Sequence, residues 1–283
     1  MKKLIHICGT GRSGSTVMDL IIGSIDNSIS LGEINAYYYP YRNHHLQAIC
    51  SCGDKNCMRL EEVKKFSREN VHFKLLEHDS IANLVDSSKS LLWIYENINI
   101  LKFKNIDIYN IVLIKNFKSY AHSIWKRGGS IDLAYKKYLN YYKNLIDSGI
   151  KYCLINQSDL IFQKHDVSKK VSDFIGLSLK EEYFNFWNFE HHYFFGSPSA
   201  KNQISNKSIQ DNSNFDAKFQ NDFMFFLNPD KKAVLNHLEK KLKDRENTNI
   251  QPTFRFKIWL IFKKNKSLLI SFLLKLKKNF YVT

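Results

Sequence analysis

Proline and glycine are scarce, at 4 and 11 of 283 residues. No stretch rich in either divides the chain, so the composition marks no linker between domains. No internal repeat is evident. Acidic residues are in deficit, with 27 Asp and Glu against 42 Lys and Arg and a formal net charge of +15. That balance favours anionic partners. Zinc-finger spacing and RNP-type motifs are both missing, which argues against nucleic acid as the partner. The five cysteines are an odd number, a pattern that suits a reducing compartment better than a disulfide framework. Long apolar runs are also missing. The run after Met1-Lys2-Lys3 ends after five residues, at Gly9, whereas a cleavable signal needs ~7–15 apolar residues. The N-terminus is therefore expected to be a first strand, in a cytoplasmic protein.

What is present suits one α/β unit. The chain is 44% hydrophobic and 14% aromatic, enough to bury one sizeable core. Strand-like runs at Leu4–Cys8, Ser28–Leu31, Ala82–Asp86, Tyr109–Ile114 and Lys151–Ile155 alternate with amphipathic stretches. The alternation predicts a P-loop-like parallel sheet with helices on both faces, over residues 1–250, followed by a basic helical tail at 251–283. The polar stretch Ala200 to Asn214 reads as a surface loop. In such sheets ligands sit beyond the carboxyl ends of the strands, so the residues just after each run are the candidates.

After the first run comes Gly9-Thr10-Gly11-Arg12-Ser13-Gly14-Ser15-Thr16, leading into Val17–Ile22. A strand, a glycine-rich turn and a helix N-terminus together make an anion site, because unpaired backbone N–H groups and the positive dipole end converge there. The spacing is that of a Walker A loop, G-x4-G-K-[ST], but Ser15 stands where the lysine that reaches the β- and γ-phosphates belongs. This argues against ATP or GTP. A ligand with one 5′-phosphate and a less charged group beyond it fits better, with Arg12 and the hydroxyls of Ser13, Ser15 and Thr16 as donors.

The segment Gly11-Arg12-Ser13-Gly14-Ser15-Thr16 resembles the 5′-phosphosulfate loop of sulfotransferases that use PAPS, 3′-phosphoadenosine 5′-phosphosulfate. The resemblance covers roughly residues 1–200 and is strongest at the two nucleotide motifs. It implies PAPS as the donor, transfer to a hydroxyl, and no required metal.

Further candidates follow the other runs. Gly32-Glu33 comes after the second, and a carboxylate there can take the proton of an attacking hydroxyl or be a helix-start glutamate. The family places its base on a similar Gly-Glu, which selects Glu33 as the base. Tyr37-Tyr38-Tyr39-Pro40-Tyr41 would wall the acceptor pocket or simply pack. Lys89, in Asp86-Ser87-Ser88-Lys89, is a solvated lysine or a cation on the bridging oxygen where charge grows; a similar run in bacterial sulfotransferases implies the latter. Arg12 would share that task. Lys115 and Ser123, eight residues apart, look like the family's 3′-phosphate pair, with lysine in place of the usual arginine, which loses the bidentate fork. Arg127 is a further phosphate partner. The other reading of this stretch is a basic helix face.

Gln157-Ser158-Asp159-Leu160 stands where relatives show Tyr-Glu-Asp-Leu. Glu190-His191-His192 through Pro198 resembles a His-His and Gly-Asn-Pro segment, with Ser197 for the asparagine and Lys201 near the usual basic residue. Cys50, Cys52 and Cys57 cluster, with His44 and His45 upstream as candidate fourth ligands, but C-x-C-x4-C is no strong finger spacing. The resemblance implies a structural turn there. The acceptor is a hydroxyl-bearing molecule: a glycan is favoured, with a lipid headgroup or a tyrosine as alternatives. A nucleotide kinase and a non-catalytic membrane adaptor remain as rival functions.

The tail carries eight Lys and Arg and no acid between Gln251 and Thr283. Wound at ~100° per residue, Phe254, Ile258, Ile261, Phe262, Leu268, Leu269, Phe272 and Leu276 share one arc that excludes every basic residue. No uncharged run there approaches the ~20 residues of a spanning helix. Two outcomes stay open for residues 254–278: a helix docked on the domain, or an interfacial helix lying on anionic lipid at the inner face of the membrane.

Overall fold

The computed structural model describes residues 1–54, 56–209 and 214–280, except for the side chains of residues 198, 199, 201, 202 and 276–280. Five strands, β1 (Lys2–Gly9), β2 (Ser28–Ser30), β3 (Asn83–Asp86), β4 (Ile106–Ile114) and β5 (Cys153–Asn156), form one parallel sheet in the order β2-β3-β1-β4-β5. The crossovers carry α1 (Ser15–Gly23), α2 (Asn35–Tyr38), α3 (Met58–Lys64), α4 (Val71–Leu76), α5 (Leu91–Leu101), α6 (Phe117–Trp125) and α7 (Ile131–Ser148). After β5 come α8 (Asp159–Phe162), α9 (Lys164–Ile175), α10 (Pro198–Asn206), α11 (Ala217–Phe226), α12 (Pro229–Asp244) and α13 (Phe254–Phe280).

The central strands β1 and β4 carry runs buried on both faces because helices cover both. Side chains alternate along a strand, so Ile5 and Ile7 of β1 join Ile111 and Leu113 of β4 against α1 and α9. Cys8, Val112 and Ile114 turn the other way, against α5, α6, α7, α11 and α12. Leu4 and Leu84, nearer the β2 edge, pack with Leu60, Val63, Leu75 and Trp93. The register sets Gly9 opposite Leu113 and His6 opposite Asp86, which brings the turns after β1, β3 and β4 to one end of the sheet.

Two expectations change. Ala200–Asn214 begins inside α10 rather than in a loop, because Ala200 is buried and Ile204 packs beside it against the α1-side core; residues 210–213 lie outside the described ones. The tail helix α13 docks, but not by the arc identified from the sequence. Phe256 is fully buried, edge-on to Tyr95 at 5.6 Å and stacked on Trp259 at 5.4 Å. Phe254, Ile258, Ile261, Phe262, Leu268, Leu269 and Phe272 are exposed, and Leu276 lies outside the described side chains. The tail thus has two apolar faces, one buried on the domain and one open. Among the described residues no helix is long and apolar enough to cross a membrane.

Candidate active site

The loop between β1 and α1 turns sharply, with Gly9, Arg12 and Gly14 at φ of 135°, 78° and 88°. Glycine is required at Gly9, since a β-carbon there would stand 2.5 Å from the Leu113 carbonyl oxygen and 2.6 Å from Ser13 Oγ. Arg12, by contrast, is a side-chain-bearing residue held in the left-handed region, a strain characteristic of ligand clamps. Its guanidinium donates to Ser197 Oγ at 3.2 Å, and Thr16 Oγ1 accepts from the Ser197 N–H at 3.2 Å, so the loop is braced by the segment before α10. The N–H groups in the first turn of α1 have no intrahelical acceptor. Gly11, Arg12, Gly14, Ser15 and Thr16 all border one large cleft. Ser13 does not. It is fully buried, and its N–H is turned to the Thr10 carbonyl, which places the hydroxyl expected to be a donor beneath the loop.

In the same cleft Glu33 and Lys89 meet, with Lys89 Nζ donating to Glu33 Oε1 at 2.7 Å. Glu33 precedes α2, yet its carboxylate does not cap that helix. Its second oxygen accepts from the Tyr41 hydroxyl at 2.9 Å. Burial raises the Glu33 pKa, but the ammonium and hydrogen bond of Lys89 and the Tyr41 hydroxyl together outweigh it, holding the carboxyl below its ordinary value. It is therefore ionised at neutral pH and able to accept a proton. Lys89 also sits at positive φ, 60°. Its ammonium donates to the Ser87 carbonyl at 2.8 Å, and its own carbonyl accepts from Tyr141 at 3.0 Å. The Tyr141 hydroxyl in turn accepts from the Gly9 N–H at 2.8 Å. This one tyrosine of α7 ties the phosphate loop to the Lys89 turn, a link that no spacing in the sequence reveals.

Beneath that turn lies a buried polar network. Asp86, the last residue of β3, accepts from Trp93 Nε1 at 2.6 Å and pairs with His72 Nε2 at 3.0 Å. Burial raises its pKa, but His72, His6 and Ser88 outweigh this and hold it near 2, against 3.8 ordinarily. Asp19 of α1 accepts from Ser87 at 2.9 Å, and burial pushes it up to about 8. Neither carboxylate reaches the cleft.

Lys115 follows β4, Ser123 lies two turns into α6 and Arg127 just beyond it; all three border the same cleft as the loop, Glu33 and Lys89. The Ser123 hydroxyl donates to the Tyr120 carbonyl at 2.7 Å, so that proton must turn from the carbonyl to donate to a phosphate in the cleft. The cleft has a volume of about 1,400 Å³, above the ~300–1,000 Å³ of a one-ligand pocket. Ten of its lining side chains are lysine or arginine, and Glu33 is its only described acid. Its outer wall holds residues that sequence reasoning passed over: Arg68, Phe195, and Trp259, Lys263 and Lys266 of α13. The tail therefore closes part of the cleft, which its amphipathic pattern alone could not indicate.

His45, a candidate partner of the cysteines, lies instead on this wall, its ring 4.2 Å from Tyr41 and 4.8 Å from Phe195. The histidine that joins the cysteines is His192.

The fold is that of a solved sulfotransferase domain. The sulfotransferase domain from the curacin biosynthetic pathway is similar at a TM-score of 0.50 and 17% identity, over 80% of this chain and 98% of that one. The sulfotransferase domain from the Synechococcus PCC 7002 olefin synthase aligns at a TM-score of 0.49 and 15% identity, over 80% and 95%. No protein-family model and no curated protein sequence matches.

Proposed function

We propose that the chain transfers a sulfuryl group from PAPS to an acceptor hydroxyl. The observation that carries this reading is the Glu33–Lys89 pair, lining one basic cleft together with a phosphate loop that lacks the Walker lysine. The donor fits the residues present. Loop N–H groups, Arg12, Ser15 and Thr16 would hold its 5′-phosphate, and Lys115, Ser123 and Arg127 its 3′-phosphate. Bound there, the donor supplies an activated S–O bond. Glu33 takes the proton of the acceptor hydroxyl while that oxygen bonds to sulfur. The electron pair of the breaking S–O bond goes to the phosphate oxygen, where Lys89 and Arg12 offset the growing charge. Positioning and electrostatics carry the rate, as in phosphoryl transfer.

A kinase is disfavoured by the same geometry. Asp86 ends the strand beside β1 but is turned to His72 and Trp93, away from the cleft, so no acid in the described cleft other than Glu33 is placed to hold magnesium.

We read the acceptor as a glycan, because Tyr39, Tyr41, Phe195 and Trp259 give the cleft flat apolar walls beside cations. The open face of α13, with Arg255, Lys257 and Lys264 exposed beside it, supports attachment to an anionic lipid surface. Mass spectrometry of cell-envelope polysaccharide and lipid from cells with and without the gene tests the reading. A sulfated glycan present only with the gene is expected; sulfated lipid or protein in its place would overturn the acceptor, and no sulfated product would overturn the activity.

A further inference from the structure

We propose that Cys50, Cys52, Cys57 and His192 form a closed structural zinc site that pins the outer wall of the cleft. Their four ligand atoms all lie within 4.8 Å of one another. His192 Nδ1 is 3.3 Å from Cys57 Sγ and 3.7 Å from Cys50 Sγ. A tetrahedral zinc with Zn–S of ~2.3 Å and Zn–N of ~2.0–2.1 Å needs S···N of about 3.6 Å and S···S of about 3.8 Å. Closing the cluster on the ion therefore takes movements of about 1 Å or less. Three thiolates and one imidazole are a zinc donor set, soft and four-coordinate, with no position left for a substrate. The role is thus structural.

A second, independent observation lies behind the histidine. Its other ring nitrogen, Nε2, is 3.1 Å from Glu190 Oε1. A carboxylate there fixes the tautomer that presents Nδ1 as a ligand, an outer-shell partner typical of metal-bound histidines.

The backbone assembles this site from two distant segments. The Ser51 N–H donates to the Tyr193 carbonyl at 3.0 Å, Ser51 Oγ to the His191 carbonyl at 2.8 Å, and the Tyr193 N–H to Ser51 Oγ at 3.0 Å. Phe194 bridges both Cys50 and Gly32. A metal here would lock residues 190–197 to the cysteine turn. That segment carries Phe195, against His45, and Ser197, against Arg12. The inference stands apart from the transferase reading, since it concerns what holds the wall and not what reacts within it.

Metal analysis of the protein purified under reducing conditions should give one zinc per chain. His192→Ala and Cys57→Ser should lose it, while His45→Ala, which alters the histidine nearer in sequence, should retain it. Cobalt exchanged into the wild-type protein should show the thiolate charge-transfer band and intense visible bands of a tetrahedral thiolate site, a readout needing no variant. His192→Cys should restore binding, with a spectrum shifted toward a four-thiolate site. Failure of the reduced protein to retain zinc or cobalt, a disulfide among the three cysteines in protein alkylated at lysis, or zinc retained equally by His192→Ala and Cys57→Ser would each overturn the proposal.

Discussion

Replacing Glu33 with glutamine changes the chemistry of the rim with little change in its shape. The amide oxygen can still accept from Lys89 Nζ and from the Tyr41 hydroxyl, which now stand 2.7 and 2.9 Å from the carboxylate. The side chain is mostly enclosed, 18% exposed against 14% for Lys89, so water does not readily replace it as the base. No other acid in the described cleft can take over. Losing a positioned general base costs ~10²–10⁴ in rate, or about 3–5 kcal/mol of barrier. The donor contacts lie elsewhere in the cleft, so affinity for PAP, the desulfated donor, should stay within about twofold. Single-turnover sulfuryl transfer and calorimetry with PAP measure the two separately. The pH profile gives a further check. Because Lys89 and Tyr41 hold the Glu33 carboxyl below 4.5, the acid limb of kcat/KM should fall below the ordinary carboxylate range. Tyr41→Phe removes one of those hydrogen bonds and should move the limb upward; Glu33→Gln should abolish it. Near-normal turnover in Glu33→Gln, or an acid limb that ignores both substitutions, would refute the assignment of the base.

Lys115→Ala and Ser123→Ala should each weaken PAP binding by about 1–3 kcal/mol in calorimetry, as for hydrogen bonds to a charged group, whereas Lys115→Arg should hold or tighten it. Asp86 has its pKa lowered by folding from 3.8 to about 2, so the stability it contributes is present above pH 4 and lost as the pH falls toward 2. This contribution is about 2 kcal/mol, and urea unfolding of Asp86→Asn should show a flatter pH dependence over that window. Phe262→Ser combined with Phe272→Ser alters only exposed positions of α13; the melt should be unchanged while co-sedimentation with anionic vesicles is lost, and retained co-sedimentation would remove the membrane reading. Truncation after Ile250 is the poorer test, since it deletes the buried Phe256.

The sheet was legible because its central strands are covered on both faces and carry apolar runs, as in Ile111 to Ile114, while the edge strand β2 is only Ser-Ile-Ser. The residues that follow those runs, Arg12, Glu33, Lys89 and Lys115, all border one cleft, since parallel strands end on one side. The inward turn of Ser13 was not legible, because a hydroxyl in a loop reads the same whether it faces ligand or core. His192 was missed as the partner of the cysteines because the pairing of Ser51 with Tyr193 brings together segments about 140 residues apart. The docking face of α13 was missed for a different reason. The helix buries Phe256 and half-buries Trp259 stacked on it, and its more continuous apolar arc stays outside.

The most direct test of the central claim is a calorimetric titration of the protein with PAP, AMP and MgATP. PAP should bind tightest, because it alone engages both the loop and the Lys115, Ser123 and Arg127 cluster. AMP, lacking the 3′-phosphate, should bind more weakly by about 2–6 kcal/mol, the sum of two such contacts. MgATP should gain nothing from its γ-phosphate, since the loop has Ser15 in place of lysine. MgATP binding more tightly than PAP, or PAP and AMP binding alike, would contradict the account.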